Sequence, residues 1–456
     1  MTTRNRLGLF DFTMIVIGLV IGMGIFRTAK DAASAALTPE IYFGAWIVGG
    51  LVALCGALTY AEIGSRYPVT GGYYKVFSYA YHPSIAFALN GSILISNAAS
   101  VSGVALIGAG YISKVFIGPE AGNLVKVMIA MTAIFLFYGV NLMGLRMSAK
   151  TQSVLMIIKI GMVLLLICAL FFPGIYADPV VSTVVPDAGS LSVPSNPGWN
   201  EVVWSFGLCL VAVSFTYGGY QQTINFGSEV DNARKNIPRS IFIGITVIIV
   251  LYLVVNIAYY KVVGFENMKT TSEIASVVVG KMFGPEGANV FSGLLFLSVL
   301  AYVNVSLMSN PRVIYAMSED GIFPKFFQRK NEKKGVLVVS LTVFAIVCIV
   351  VLFFADTFEK ILSFSIFLDS FGMATSAATI FMLRKKTKHL DGTGIYKMKL
   401  YPLQPVIFIL AYIFVCASII ISSPGIALVG TGVMVAFAIL YFIIKRFSKN
   451  KPVDHG

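Results

Sequence analysis

Long apolar runs separated by short polar stretches dominate the chain. Twelve of them, at 10–28, 41–65, 84–113, 124–144, 152–173, 201–226, 238–260, 287–317, 336–354, 359–383, 401–421 and 425–445, approach or exceed the roughly 20 residues that cross about 30 Å of hydrocarbon. They lack the two-residue alternation of barrel strands and are longer than the ten or so residues such a strand needs. In lipid a helix satisfies its own backbone N–H and C=O groups. The pattern therefore predicts an all-α integral membrane protein of twelve transmembrane helices.

Two runs are interrupted from within. The first holds Gly18, Gly22 and Gly24 in IVIGLVIGMGIF, and the sixth holds Gly218-Gly219 among Thr216, Tyr217, Tyr220, Gln221, Gln222, Thr223 and Asn225. Gly18 and Gly22 alone would suit a helix-packing face. A lipid-facing helix would not carry the polar cluster of the sixth run. The interruptions fall five spans apart, and an odd offset reverses direction in the membrane. Spans 1–5 and 6–10 thus read as inverted repeats with broken helices 1 and 6, the arrangement that places a transporter site at the midplane. The expected organisation is 1–173 for the first repeat, 174–200 for an outside loop, 201–384 for the second repeat, and 385–456 for helices 11–12 and a tail. A half-helix N-terminus offers N–H groups and positive potential to a carboxylate, and half-helix C-termini offer carbonyls to an ammonium group. Paired breaks therefore suit the zwitterion of an α-amino acid.

Composition agrees with a membrane location. Of the 456 residues 57% are hydrophobic and 12% charged, about half the roughly 25% of soluble domains. Mean hydropathy is +0.83. The net charge of +13 would admit a nucleic-acid partner, but its distribution argues otherwise. With the N-terminus placed in the cytoplasm, 24 of the 34 Lys and Arg residues fall inside and 8 outside, a positive-inside bias that orients the bundle with both termini cytoplasmic. Arg4 and Arg6, the apolar run to Phe26 and Ala33-Ser34-Ala35 imitate a cleaved leader. We read this segment as the first span, because cleavage would delete the first break. Cys55, Cys168, Cys209, Cys348 and Cys416 all fall in predicted spans and read as packing residues. Three histidines and no His/Cys cluster predict neither metal nor cofactor.

Four motifs carry a family resemblance. They are Ile21-Gly-Met-Gly-Ile-Phe26; Tyr60-Ala-Glu-Ile-Gly-Ser-Arg-Tyr-Pro-Val-Thr-Gly-Gly-Tyr-Tyr74; Phe215-Thr-Tyr-Gly-Gly-Tyr followed by Ser228-Glu-Val-Asp-Asn-Ala-Arg-Lys-Asn-Ile-Pro238; and Asn310-Pro-Arg-Val-Ile-Tyr-Ala-Met-Ser-Glu-Asp-Gly-Ile-Phe-Pro324. Over nearly its whole length the chain resembles amino acid–polyamine–organocation permeases, and within them the bacterial relatives of the L-type amino acid transporters. It departs from them at Met23 (usually Ser or Ala), Tyr220 (often Trp) and Ala233 (usually Pro). The resemblance implies the LeuT-type 5+5 fold. It implies that the N–H groups of Met23, Gly24 and Ile25 hold the substrate carboxylate and that the carbonyls of Val20, Phe215 and Gly218 hold the ammonium. Phe215 would be the outer aromatic lid, and Gln221 would face the side-chain pocket.

Two charges lie deep in predicted spans. Lys159 sits mid-span five, where a charge costs at least about 3 kcal/mol. By the resemblance it replaces a sodium ion and bridges the first and eighth helices, with Ser306 or Ser309 accepting its hydrogen bond. Asp369 sits mid-span ten, placed either to face the site, to bind a proton, or to pair with a backbone donor. The function expected is sodium-independent exchange of small or medium neutral L-amino acids by alternating access. The alternatives are proton symport and a cationic amino acid or polyamine carrier. The outside loop after span three, Lys114 to Asn123, has no cysteine, so no disulfide-linked heavy subunit is expected. An enzyme would need a catalytic cluster, and none is evident.

Overall fold

A computed structural model describes residues 6–22, 24–118, 122–177, 198–271, 273–354 and 358–449. Its elements are helical, and among the described residues β-structure is limited to isolated bridges. The first span is two helices, α1 (Leu9–Val20) and α2 (Gly24–Ala35). Spans two to five are α3 (Pro39–Arg66), α5 (Pro83–Phe116), α6 (Asn123–Leu142) and α7 (Leu145–Cys168), with a short α4 (Gly72–Ala80) between α3 and α5. Span six begins as α8 (Trp199–Tyr217). The remainder are α9 (Ala233–Val263), a short α10 (Phe265–Thr270), α11 (Ile274–Glu319), α12 (Val338–Phe354), α13 (Phe358–Lys386), α14 (Leu403–Ser422) and α15 (Pro424–Lys449).

Eleven of these segments, counting α1 with α2, are long and apolar enough to cross a membrane, and Val338–Phe353 is a shorter apolar helix. The twelve runs seen in the sequence are thus all helical, but the ninth falls short of a full span. The eighth is longer than its apolar stretch: α11 reaches back to Ile274 across a break at Gly284, whose φ of 75° ends one helix and starts another. Most of the 174–200 loop, residues 178–197, lies outside the described residues. The five cysteines are free.

Local chemistry explains several helix starts. Thr38 caps α3 by accepting from Ile41 N–H, with Pro39 in the first turn, and His82-Pro83 opens α5 in the same way. Glycines of α3 let neighbours approach closely: Gly49 lies against Val213 and Tyr217, and Gly56 beneath Tyr220 and Phe408. Trp46, fully buried on the same helix, meets Tyr217 and Tyr252 edge-on. The outward side chains are large and apolar, among them Leu51, Leu136, Val250, Leu410 and Leu428. A surface of that kind belongs against lipid.

The end of the bundle that carries the chain's N-terminus is ionic. Buried Glu62 accepts from Arg66 at 2.7 Å, from Arg384 at 2.6 and 2.7 Å, and from the Met398 N–H at 2.8 Å. Arg66 continues to Asp391 at 2.8 Å, and Asp391 to Lys397 at 2.9 Å. A second pair, Arg312 with Glu229 at 2.5 Å, is also buried, and the guanidinium lies over the Phe226 ring. Lys75 of α4 reaches Asp320 at 2.5 Å. The Leu7 N–H donates to the Glu229 carbonyl at 2.8 Å, strapping the start of the chain to this layer. By sequence Glu62, Glu229 and Arg312 fit gate salt bridges as well as solvated interface charges; in the structure they are paired and buried.

Removing one partner of such a group strands the others. Glu62→Ala should cost about 3–5 kcal/mol, seen as a lower unfolding midpoint in detergent, and an unchanged midpoint contradicts the assignment. Lys397 first and Arg66 next hold the Asp391 carboxyl at about 2, below its ordinary 3.8. A depressed folded pKa contributes stability above the unfolded value and loses it as the pH falls toward about 2. Between about pH 4 and 2 the wild type should lose more of its melting temperature than Asp391→Asn does. Equal losses would show that the loop carboxylate is not coupled to folding.

Candidate functional site

The first break begins where α1 ends at Val20. Ile21 has left helical geometry, with ψ at 82°. The Gly22 N–H turns back to the Val20 carbonyl at 2.7 Å, which also accepts from Tyr252 Oη at 3.4 Å. The Ile21 carbonyl is met by Lys159 Nζ at 2.5 Å, reaching across from α7. This lysine is 0% exposed. A free carbonyl and a bare ammonium would each be costly at this depth, and here each answers the other. Helix resumes at Gly24; Met23 lies outside the described residues.

The second break is longer. α8 stops at Tyr217, Gly218 is extended, and Gly219 has φ 112°, a conformation that excludes other residues at low cost. The chain then runs as a 3-10 turn, Tyr220–Asn225, and a second one, Gly227–Glu229, instead of a second α-helical half. Gln221 Oε1 accepts from the Gly219 N–H at 2.8 Å and so satisfies one donor that the break exposes. Asn225 ties the turn to α4 and α11: its Oδ1 accepts from the Tyr73 N–H and its Nδ2 donates to Ser309 Oγ.

The two breaks interlock. A Cβ on Gly219 would lie 2.1 Å from the Leu19 carbonyl oxygen, and a Cβ on Gly24 would lie 2.9 Å from the Thr216 side chain. Each break presses its glycine against the end of the other's helix, which leaves no room for a side chain at either position.

Between them lies a cavity of about 70 Å3. Of the residues singled out from sequence, Val20, Gly24, Phe215, Gly218, Gln221 and Asp369 line it. Ile25 is buried outside it, its carbonyl accepting from Tyr259 Oη at 3.4 Å. Lys159 stands behind the first break. Ser306, also off the cavity, offers its backbone carbonyl to Asn310. The cavity extends along α2 to Arg27 and Asp31, away from the ionic layer.

Three further side chains complete the polar wall. Gln222 and Asn97 line the cavity, and Asn310 stands behind them. Gln222 Nε2 donates to Asn97 Oδ1 at 3.2 Å, Asn97 Nδ2 to Asn310 Oδ1 at 2.6 Å, and Asn310 Nδ2 to the Ser306 carbonyl at 3.0 Å. An asparagine inside an apolar run, as at Asn97 within span three, was the available signal for this relay. Asp369 accepts from Ser96 Oγ at 3.3 Å. Among the described residues no group of three or more His, Cys, Asp or Glu could hold a metal.

Comparison with known proteins gives this geometry a family. Residues 7–444 match the amino acid permease family. The serine/threonine exchanger SteT of Bacillus subtilis (strain 168) is 25% identical over 430 residues, 92% of each chain. The Asc-type amino acid transporter 1 of Mus musculus is 24% identical over 460 residues, 98% of this chain and 82% of that one. The large neutral amino acids transporter small subunit 2 of Homo sapiens is 24% identical over 453 residues, 96% of this chain and 80% of that one. With the family match running almost end to end over a multi-pass helical bundle, the chain belongs to the amino acid permease family, within the amino acid–polyamine–organocation superfamily, and is a membrane transport protein and not an enzyme.

Proposed function

We propose that this permease exchanges small or medium neutral L-amino acids across the cell membrane, without sodium, by alternating access in a twelve-helix LeuT-type 5+5 bundle. The observation that carries the reading is the interlocked pair of breaks. Val20, Gly22, Gly24, Gly218 and Gly219 line one cavity, and backbone is what reads the part shared by all α-amino acids. In this reading the α2 N-terminus at Gly24 takes the substrate carboxylate. The chain's turn at Val20 and the α8 terminus at Phe215 and Gly218 take the ammonium, and the Phe215 ring closes the outer side.

Lys159 supports sodium independence. Its ammonium already supplies the positive charge that the Ile21 carbonyl needs at the break, the place where a carrier of this design would otherwise hold a cation. The positive-inside count puts the ionic layer at the cytoplasm. The cavity then extends outward from a closed cytoplasmic side, and transport requires the Glu62 and Glu229 clusters to part. Similarity to a serine/threonine exchanger and to a large neutral amino acids transporter supports neutral substrates. The absence of cysteine from 114–123 favours operation without a disulfide-linked heavy subunit.

Proteoliposome flux tests the proposal. Uptake of labelled serine should rise several-fold when unlabelled serine is inside, and replacing sodium by choline should not change it. Uptake that ignores internal amino acid and follows an imposed pH gradient would contradict exchange and establish symport.

A further inference from the structure

The loop between α11 and α12 is built as a fixed surface. Gln328 Nε2 donates to the Ser318 carbonyl at 2.7 Å and Ser340 Oγ to the Phe327 carbonyl at 3.0 Å, which pins residues 327–328 to both flanking helices. Residues 331–336 close a tight turn: the Asn331 N–H donates to the Val336 carbonyl at 2.8 Å, and the Gly335 N–H to the Asn331 carbonyl at 2.7 Å. This turn docks on the corner between α6 and α7, where the Leu145 N–H donates to the Lys334 carbonyl at 3.1 Å. Gly144 makes the approach possible. Its φ is 129°, and a Cβ there would lie 3.1 Å from that same carbonyl oxygen. Residues far apart in sequence thereby share one face at the end of the bundle that carries the ionic layer.

That face is strongly basic. Residues 325–334 hold five basic residues and one acid, and Arg146 and Lys150 of α7 add two more. The acid, Glu332, meets Lys330 at 3.5 Å. Among the described residues no carboxylate pairs with Arg146, Lys150, Lys325, Arg329 or Lys334, and all five are exposed. A fixed surface that gathers like charges without counter-charges attracts an anion. Its surroundings narrow the kind. Arg146, Lys150, Val154 and Ile157 recur at spacings of four, four and three, which sets them on one stripe of α7. Val154 and Ile157 are 58% and 57% exposed, so the stripe is basic in its first turns and apolar beyond them. Exposed Met143, Met147 and Phe326 interleave with the charges along the chain. A soluble polyanion has no use for these apolar side chains. A phospholipid carries its phosphate at the surface and hydrocarbon beneath, the same order as the stripe.

We propose that Arg146, Lys150 and the 325–334 loop form a docking surface for an anionic phospholipid of the adjacent leaflet, with its phosphate on the basic residues and an acyl chain along Val154 and Ile157. The positive-inside count makes that leaflet the cytoplasmic one. Each lysine or arginine near an anionic membrane surface adds to the attraction, and here the docked loop holds them together before lipid arrives. A headgroup seated there bridges α7 to the α11–α12 connection. None of these residues lines the cavity between the breaks, so the surface does not depend on which substrate is carried.

The test is lipid retention by the purified full-length protein, read by native mass spectrometry during titration with dioleoyl phosphatidylglycerol or dioleoyl phosphatidylcholine, which share their acyl chains. Phosphatidylglycerol should bind at least about tenfold more tightly. Raising the salt concentration should narrow that difference. The double variants Arg146→Gln/Lys150→Gln and Lys325→Gln/Arg329→Gln should each remove most of the preference. Lys445→Gln/Arg446→Gln should leave it in place, because α15 packs on α5, α13 and α14 and not on α7. Equal retention of the two lipids by the wild type would overturn the proposal. So would equal losses in all three variants, which would mark a diffuse attraction to positive charge. Displacement of phosphatidylglycerol by inorganic phosphate at the same concentration would also overturn it, by making the surface a site for a soluble anion.

Discussion

A backbone carbonyl released in the middle of a membrane must find a donor, and at Ile21 that donor is Lys159. The rest of the site depends on this contact. Without it the first span would gain by closing into a continuous helix, and Lys159 would be left charged and unmet at 0% exposure. The second break leans on the first. Gly219 turns where the Leu19 carbonyl leaves no space for a side chain, and Gln221 folds back to cover the N–H that the turn exposes. Each break frees backbone groups that hydrocarbon cannot satisfy, and together the two enclose a polar cavity.

The molecule divides into a closed end and an accessible one. At the end with the chain's N-terminus, Glu62 holds two arginines and a backbone N–H, and Glu229 holds Arg312. Buried clusters of this kind add little net stability over apolar packing but are costly to half-break. On the other side the cavity runs along α2 past Arg27 and Asp31.

Much of this was legible in the sequence because hydrocarbon imposes simple rules. Length and apolarity marked all twelve helical runs, and Gly22–Gly24 and Gly218-Gly219 marked the breaks. Lys159 was conspicuous because a charge at mid-span demands a reason. What the sequence concealed came from contacts across distant positions. That Lys159 meets Ile21, 138 residues away, is set by how α7 packs on α1. The 3-10 course of 220–229 follows from Asn225 docking on α4 and α11, which no local propensity encodes. Glu62 fits a salt bridge or a solvated charge equally well by sequence, and its partners Arg66, Arg384 and Met398 N–H are fixed only when α13 and the 387–398 loop fold over it. Gln222 was visible in a polar cluster, but its role follows from a relay through Asn97 and Asn310 that no spacing reveals.

The most direct measurement is an experimental structure of the protein with serine bound. The expected result is ligand density between Gly24 and Gly218, with the substrate carboxylate at the α2 N-terminus and both helices still interrupted. Ligand density elsewhere in the bundle, or a first span running as unbroken helix from Leu9 to Ala35, would contradict a site built from paired breaks.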